Sequence, residues 1–303
     1  MTAPRVALAT SSELPHLDGD DAPLLPALEA RGITAVAAVW DDADVDWDGF
    51  DLVVVRNTWN YAARHGDFLA WAARVPRLAN PAAVVAWNTD KAYLRDLERA
   101  GLPIVPTIWL DPARNLTSRA VHTRFPASGE FVIKPTVSSA GRGAGRYKSS
   151  EADQRGLAIV HARDLLRSGK HVMVQRYLAQ VDTAGETALI YLDGVFSHSV
   201  RKAALLYGPY RANDGLYKQE ISARQASAAE RDVADRVMAA LPTVMPGAAA
   251  KPLIYARVDL LPDTDGAPML LELELTEPSL FLKWDDGALD RFADAIAARV
   301  RAA

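Results

Sequence analysis

The densest chemistry in this chain lies near its C-terminal end. Arg257 and Asp259 alternate along YARVDLL, and Glu272 and Glu274 alternate along LLELEL. Residues two apart on a strand share a face. Pairing the two runs in register would therefore gather three carboxylates and a guanidinium on one surface. Like charges crowded in this way are costly unless a cation offsets them. Hard oxygen donors without His or Cys suit magnesium, which keeps some waters and binds through phosphates. The alternative is a polar sheet face turned to solvent. Glu277 follows just beyond, where a plain surface position is open to it.

A second group begins at Lys134, which closes the apolar run FVI and precedes SSAGRGAGR at 138–146. Three glycines in five residues, Gly141, Gly143 and Gly145, let backbone fold closely over a ligand, and their N–H groups can cradle phosphate oxygens. A mobile surface loop is the competing reading, and a solvated edge charge competes for Lys134. Neither GxxxxGK[ST] nor GxGxxG is present, since Arg146 stands where the last glycine would be needed. A P-loop or a Rossmann cofactor site is not expected.

Other polar residues are less specific. His198, Arg201 and Lys202 close a strand pattern. His198 is either a hydrogen-bonding strand residue or a substrate contact. Arg201 and Lys202 point to opposite faces, so at most one looks inward. Arg56 and Asn57 end the apolar run VVV, where α/β sheets present ligand contacts; Arg56 is a candidate substrate ligand.

These residues need a scaffold. RVALA, ITAVAAVW and DLVVV read as buried strands, with a helix over 23–31 stopped by Gly32 and another at FLAWAARVPRL. That predicts a small α/β lobe over residues 1–86, with NPAAVVAWN leading out of it. Asn88 reads as the N-cap of a helix over TDKAYLRDLERA, ended by Gly101. LPIVPTIWL, EFVIKP and HVMVQRYL are strand-like and flank the glycine loop and a helix near 151–168, which gives a lobe over 87–178. ETALIYLDGVFSHSVR is a hairpin around Asp193-Gly194, the type I′ dipeptide. An amphipathic helix over 223–241, the acidic hairpin and a terminal helix complete a third lobe over 179–303. The class is α/β, with an α+β body behind the first lobe.

Composition narrows the function. The chain has 303 residues, 34 basic against 38 acidic, which argues against non-specific nucleic-acid binding. The absence of cysteine excludes disulfides, thiolate metal sites and cysteine nucleophiles. No run approaches the apolar length of a membrane span, and the start lacks a signal-peptide core, so a cytoplasmic protein is expected.

In order and spacing NTDKAYL, FVIKPTVSSAGRGAG, MVQRYL, AGETALIYLDG and YARVDLL…LLELELTEPSL resemble the ATP-grasp superfamily, nearest its glutathione synthetase-like carboxylate–amine ligases. The resemblance spans the chain from residue 86, and the first lobe resembles the family's small N-terminal, pre-ATP-grasp domain. It implies an ADP-forming carbon–nitrogen ligase that uses ATP and Mg2+ to activate a carboxylate of a small, amino-acid-like substrate. By the same resemblance Lys91 and Lys134 would hold the ATP phosphates, with Ser139, Gly141 and Gly143 in the lid above them. Gln175, Tyr177 and Leu178 would line the adenine slot, and Glu186 falls at the acidic position of the nucleotide pocket. Asp259, Glu272 and Glu274 would hold the metal, although many relatives have Asn where Glu274 stands. Arg257, with Arg201 or Lys202, would contact phosphate or intermediate. RNTWNY, FSHSVRK and ELELTEPSLFL look similar to a cyclo-ligase branch that closes O-ureido-D-serine into D-cycloserine. An intermolecular ligase and a non-catalytic ATP-binding protein are the rival readings, and a homo-oligomer remains open. Residues 203–220 are expected to shape specificity.

Overall fold

The computed structural model describes residues 3–210, 219–246 and 252–302. Strands β1 (Arg5–Thr10), β2 (Thr34–Val39), β3 (Leu52–Val55) and β4 (Leu78–Ala79) form a parallel sheet in the order β2-β1-β3-β4. These strands read as nearly continuous apolar runs because both faces are covered. Val6, Leu8 and Val54 pack with Leu24 and Leu28 on one face and with Phe292 and Ile296 of the terminal helix Ala288–Arg301. Ala7, Ala9 and Val53 pack against Phe68 and Trp71 of helix His65–Arg74 on the other.

A second, antiparallel sheet contains β5 (Thr107–Leu110), β6 (Glu130–Pro135), β7 (Gly145–Lys148) and β8 (Val172–Arg176) in the order β5-β8-β6-β7. Phe131 and Ile133 bury themselves with Ala158 and Ala162 of helix Ala152–Arg167. Strand alternation then turns Val132 and Lys134 to the opposite face, toward the rest of the molecule.

The third sheet is antiparallel, with β9 (Glu186–Leu192), β10 (Val195–Lys202), β11 (Ile221–Ala223), β12 (Tyr255–Pro262) and β13 (Pro268–Glu274) in the order β11-β10-β9-β12-β13. Asp193 and Gly194 have φ of 48° and 78°, as a type I′ turn demands. Leu189, Tyr191 and Val258 cover helix Ala228–Val244, which starts at a capping box between Ser227 and Glu230. The opposite face is divided. Ile190, Leu192 and Tyr255 are sealed by the terminal helix and the first sheet. Further along the same strands, Glu186, Ala188, Arg257 and Asp259 alternate onto that face and look toward β6.

Three local expectations change. NPAAVVAWN contains a helix, Ala82–Asn88, and Asn88 is its last residue, not the N-cap of the next. Asp90 takes that role by accepting from Ala92 N ahead of helix Leu94–Arg99, because the Asn88 amide is engaged with β13. LPIVPTIWL contributes only Thr107–Leu110, since Pro103 and Pro106 lack the N–H a longer ladder needs. Of the expected specificity segment 203–220, residues 211–218 lie outside the described residues.

Candidate active site

The acidic hairpin pairs in register. Arg257 stands opposite Glu274, and Asp259 opposite Glu272. One carboxylate oxygen from each of Asp259, Glu272 and Glu274 lies within 4.8 Å of the others. On the inner side, Asp259 faces Ala188 of β9, whose methyl leaves the carboxylates room. On the outer side β13 ends the sheet, and beyond the bridge of Leu270 to Ile104 side chains satisfy its backbone in place of another strand. Leu273 N donates to Tyr93 Oη at 2.8 Å, and Leu273 O accepts from Asn88 Nδ2 at 2.8 Å. Leu275 N donates to Asn88 Oδ1 at 2.7 Å, and Leu275 O accepts from Asn80 Nδ2 at 2.8 Å. The backbone on either side of Glu274 is thereby pinned.

Four cations face these acids. Lys134 Nζ donates to Glu272 Oε1 at 3.0 Å, and Lys91 Nζ lies 3.8 Å from the same oxygen. Lys202 Nζ is 2.8 Å from Asp259 Oδ2 and 2.7 Å from Glu186 Oε2. Arg257 grips Asp259 through two bonds of 2.9 Å and also pairs with Glu274. Burial alone would raise the Glu272 pKa, but Lys134 and Lys91 outweigh it and hold the carboxyl well below the usual range. Asp259 is buried too, and Arg257 and Lys202 hold it down in the same way. Glu274 and Glu186 are pushed up, mainly by burial, which the single cation beside each does not fully offset. Three hard oxygen donors within reach of one centre, ringed by four cations, fit a divalent ion that carries a polyphosphate.

The glycine loop closes over this group. Lys91 Nζ donates to Ser138 O at 2.8 Å, tying the loop's base to the site. Ser139 Oγ and Arg142 Nη1 both donate to Trp59 O, at 2.8 and 2.9 Å, which holds the loop against the first lobe. Gly141 and Gly143 have φ of 70° and 74°, and a Cβ on Gly143 would stand 3.2 Å from the Pro135 ring. His161 Nε2 donates to Gly143 O at 3.1 Å, while Tyr147 Oη donates to its Nδ1 at 2.8 Å.

Beside the charges lies an apolar slot. Tyr177, Leu178, Val181 and Ala204 meet Leu261, Met269 and Leu271 there. Gln175 is buried on β8 and donates to Thr107 Oγ1 at 2.9 Å. A cavity of about 510 Å³ adjoins the slot, lined in part by Glu130, Arg146, Asp182 and Ala204. Arg146 spans it, paired with Glu130 and Asp182 and stacked 3.6 Å above the Tyr177 ring.

Three expected site residues stand elsewhere. Arg201 turns away, as the alternation of β10 requires, and its guanidinium is taken by Ala184 O at 2.8 Å and Thr183 O at 3.0 Å. His198 is buried and donates through Nε2 to Leu280 O at 2.9 Å, so it braces the loop after β13; burial lowers its pKa. Arg56 is wholly buried; it pairs with Asp21 at 3.0 Å and donates to Pro278 O at 2.7 Å. It joins the first sheet to the loop after β13. Glu277, which the sequence left open to a surface role, instead lies beside buried Tyr61 next to the acidic cluster. Nothing in its spacing signals this, because the partner comes from the first lobe.

Two antiparallel sheets that close on a carboxylate–lysine centre under a glycine loop define an ATP-grasp ligase. The fold matches that of D-alanine–D-alanine ligase from Bacillus anthracis complexed with ATP, with a TM-score of 0.67 and 14% identity over 100% of both chains. Residues 6–80 match the family model of the D-cycloserine synthetase DcsG N-terminal domain. The chain is 40% identical to cycloserine biosynthesis protein DcsG of Streptomyces lavendulae, covering 98% of this chain and 99% of that protein. It superposes on the crystal structure of D-cycloserine synthetase DcsG with a TM-score of 0.86 and 39% identity, covering 98% of this chain and 99% of that one. The protein belongs to the DcsG family and is an ATP-dependent ligase. Among the described residues no helix is long and apolar enough to cross a membrane.

Proposed function

We propose that this ligase phosphorylates the carboxylate of O-ureido-D-serine and closes the activated molecule on its own nitrogen, giving D-cycloserine. The observation that carries the activation chemistry is the register pairing of Arg257–Glu274 and Asp259–Glu272 opposite Lys134. End-to-end likeness to DcsG supports the substrate.

In this reading residues 1–86 supply the substrate-facing lobe, 87–178 the lid lobe and 179–303 the metal-binding lobe. Asp259, Glu272 and Glu274 would hold Mg2+, and Lys91 and Lys134 would take the ATP phosphates. Gln175, Tyr177 and Leu178 receive the adenine, and Glu186 sets the position of Lys202. A magnesium ion held there would supply charge neutralisation for the transferred phosphoryl group. Arg257 and Lys202, fixed by buried carboxylates, offer a preorganised positive surface to the acyl phosphate, so catalysis is largely positioning and electrostatics. Ser139 and the glycines keep water from that mixed anhydride when the loop is down. The substrate nitrogen bonded to oxygen then attacks the acyl carbon and phosphate leaves. Atom balance requires the carbamoyl group to depart with one water, as ammonia and carbon dioxide. No protein nucleophile takes part.

The test is ADP release from ATP and magnesium with O-ureido-D-serine, with products weighed by mass spectrometry. D-cycloserine forming together with ADP supports the proposal. ADP formed only with separate carboxylate and amine partners would make the enzyme an intermolecular ligase. Tight ATP binding without any turnover would favour a non-catalytic nucleotide-binding protein.

A further inference from the structure

We propose that Glu277 anchors the substrate's ammonium group beside the carboxylate being activated, a role that rests on the ligase reading above. Every other acid at the centre already has a protein cation. Asp259 has Arg257 and Lys202, Glu272 has Lys134 and Lys91, Glu274 has Arg257, and Glu186 has Lys202. Among the described residues Glu277 forms no ion pair. Its carboxyl meets the hydroxyl of buried Tyr61, and its electrostatic neighbours are Glu274, Lys91 and Arg257.

The position is also fixed. Trp59 Nε1 donates to Glu277 O at 3.0 Å, and the carbonyl of the same Trp59 holds Ser139 and Arg142 of the glycine loop. Glu277 therefore sits where the first lobe, the lid and the metal-binding hairpin meet. An α-amino acid carries its ammonium one carbon from its carboxylate. A group that receives that ammonium must border the groups that hold the carboxylate, and Glu277 lies three residues beyond Glu274, the last residue of β13. An acid left near a negative cluster without a counter-ion is costly, and a cation brought by the ligand removes that cost. Burial and Glu274 push the carboxyl up to about 8, which agrees with a missing partner.

The experiment compares O-ureido-D-serine with its analogue carrying hydrogen in place of the α-amino group, in the wild type and in Glu277→Gln. Glutamine keeps the side-chain shape and an acceptor for Tyr61 but no charge. The expected result is a KM for O-ureido-D-serine raised roughly 10- to 100-fold, the loss of one charge-assisted hydrogen bond. The KM for ATP should be unchanged, and the wild-type preference for the amino compound should collapse in the variant. A merely structural role would raise both substrate KM values together. An unaltered KM and preference in Glu277→Gln would overturn the anchor alone. So would equal use of both compounds by the wild type, which requires no variant. No ADP from the wild type with either compound would overturn the O-ureido-D-serine reading and the anchor with it.

Discussion

Lys134 Nζ reaches Glu272 Oε1 at 3.0 Å although 138 residues separate them in sequence. The bond joins the lobe that carries the glycine loop to the hairpin that carries the acids. In this centre each lysine is paired with a carboxylate. Phosphates would take the lysines and a metal would take the acids, so binding exchanges ionic partners without creating unpaired charge.

Removing that lysine should stop the chemistry. Lys134→Ala is expected to lower the rate of ADP formation by about 10²- to 10³-fold, the usual cost of losing one preorganised donor to a transition state. Denaturation should remain cooperative. Initial-rate ADP assays check the first point, and near-wild-type turnover would contradict the assignment.

Glu272 offers a test of the metal site, since its side chain keeps 20% of its exposure. Glu272→Gln should raise the magnesium concentration for half-maximal activity roughly 10- to 100-fold, from the loss of one charged ligand. A magnesium titration at saturating ATP measures it. An unchanged requirement would remove Glu272 from the ligand set.

Arg56→Met tests the opposite assignment. The Arg56–Asp21 pair is fully buried, so breaking it leaves Asp21 uncompensated and should cost about 3–5 kcal/mol of stability. The denaturant midpoint should fall, while the KM for the carboxylate substrate in the folded fraction stays near wild type. A large KM change without loss of stability would restore Arg56 as a substrate ligand.

Much of this centre was legible in the sequence, for an identifiable reason. Alternation along a strand is local, so Arg257/Asp259 and Glu272/Glu274 declared their shared face, and Asp193-Gly194 declared its turn. Lys134 was legible because a lysine closing an apolar run must send its head to the strand's end. What failed depended on distant partners. Asn88 looked like a helix cap, yet β13, 185 residues on, claims its amide. Arg56 looked like a ligand at a strand end until the loop after β13 folded over it. Glu277 looked like surface until Tyr61 of the first lobe was packed beside it. Arg201 and Lys202 had to diverge, but only the pairing of Lys202 with Glu186 across β9 and β10 decides which looks inward.

The raised Glu277 carboxyl carries a pH signature. With a pKa near 8 it is mostly neutral below that pH and ionised above it. Anchoring an ammonium needs the ionised form, so kcat/KM for the amino substrate should climb as pH rises through about 8. The climb ends where the substrate's own ammonium loses its proton. Glu277→Gln should lack the rising limb. A wild-type profile that is flat or falling through this range would argue against the anchor.

The central claim is that a substrate carboxylate is phosphorylated before nitrogen attacks it. Labelling both carboxylate oxygens of O-ureido-D-serine with oxygen-18 and weighing the inorganic phosphate after turnover tests this directly. An acyl phosphate predicts one labelled oxygen in each phosphate released, with the other retained in the product carbonyl. Phosphate free of label, or label appearing in AMP, would contradict it.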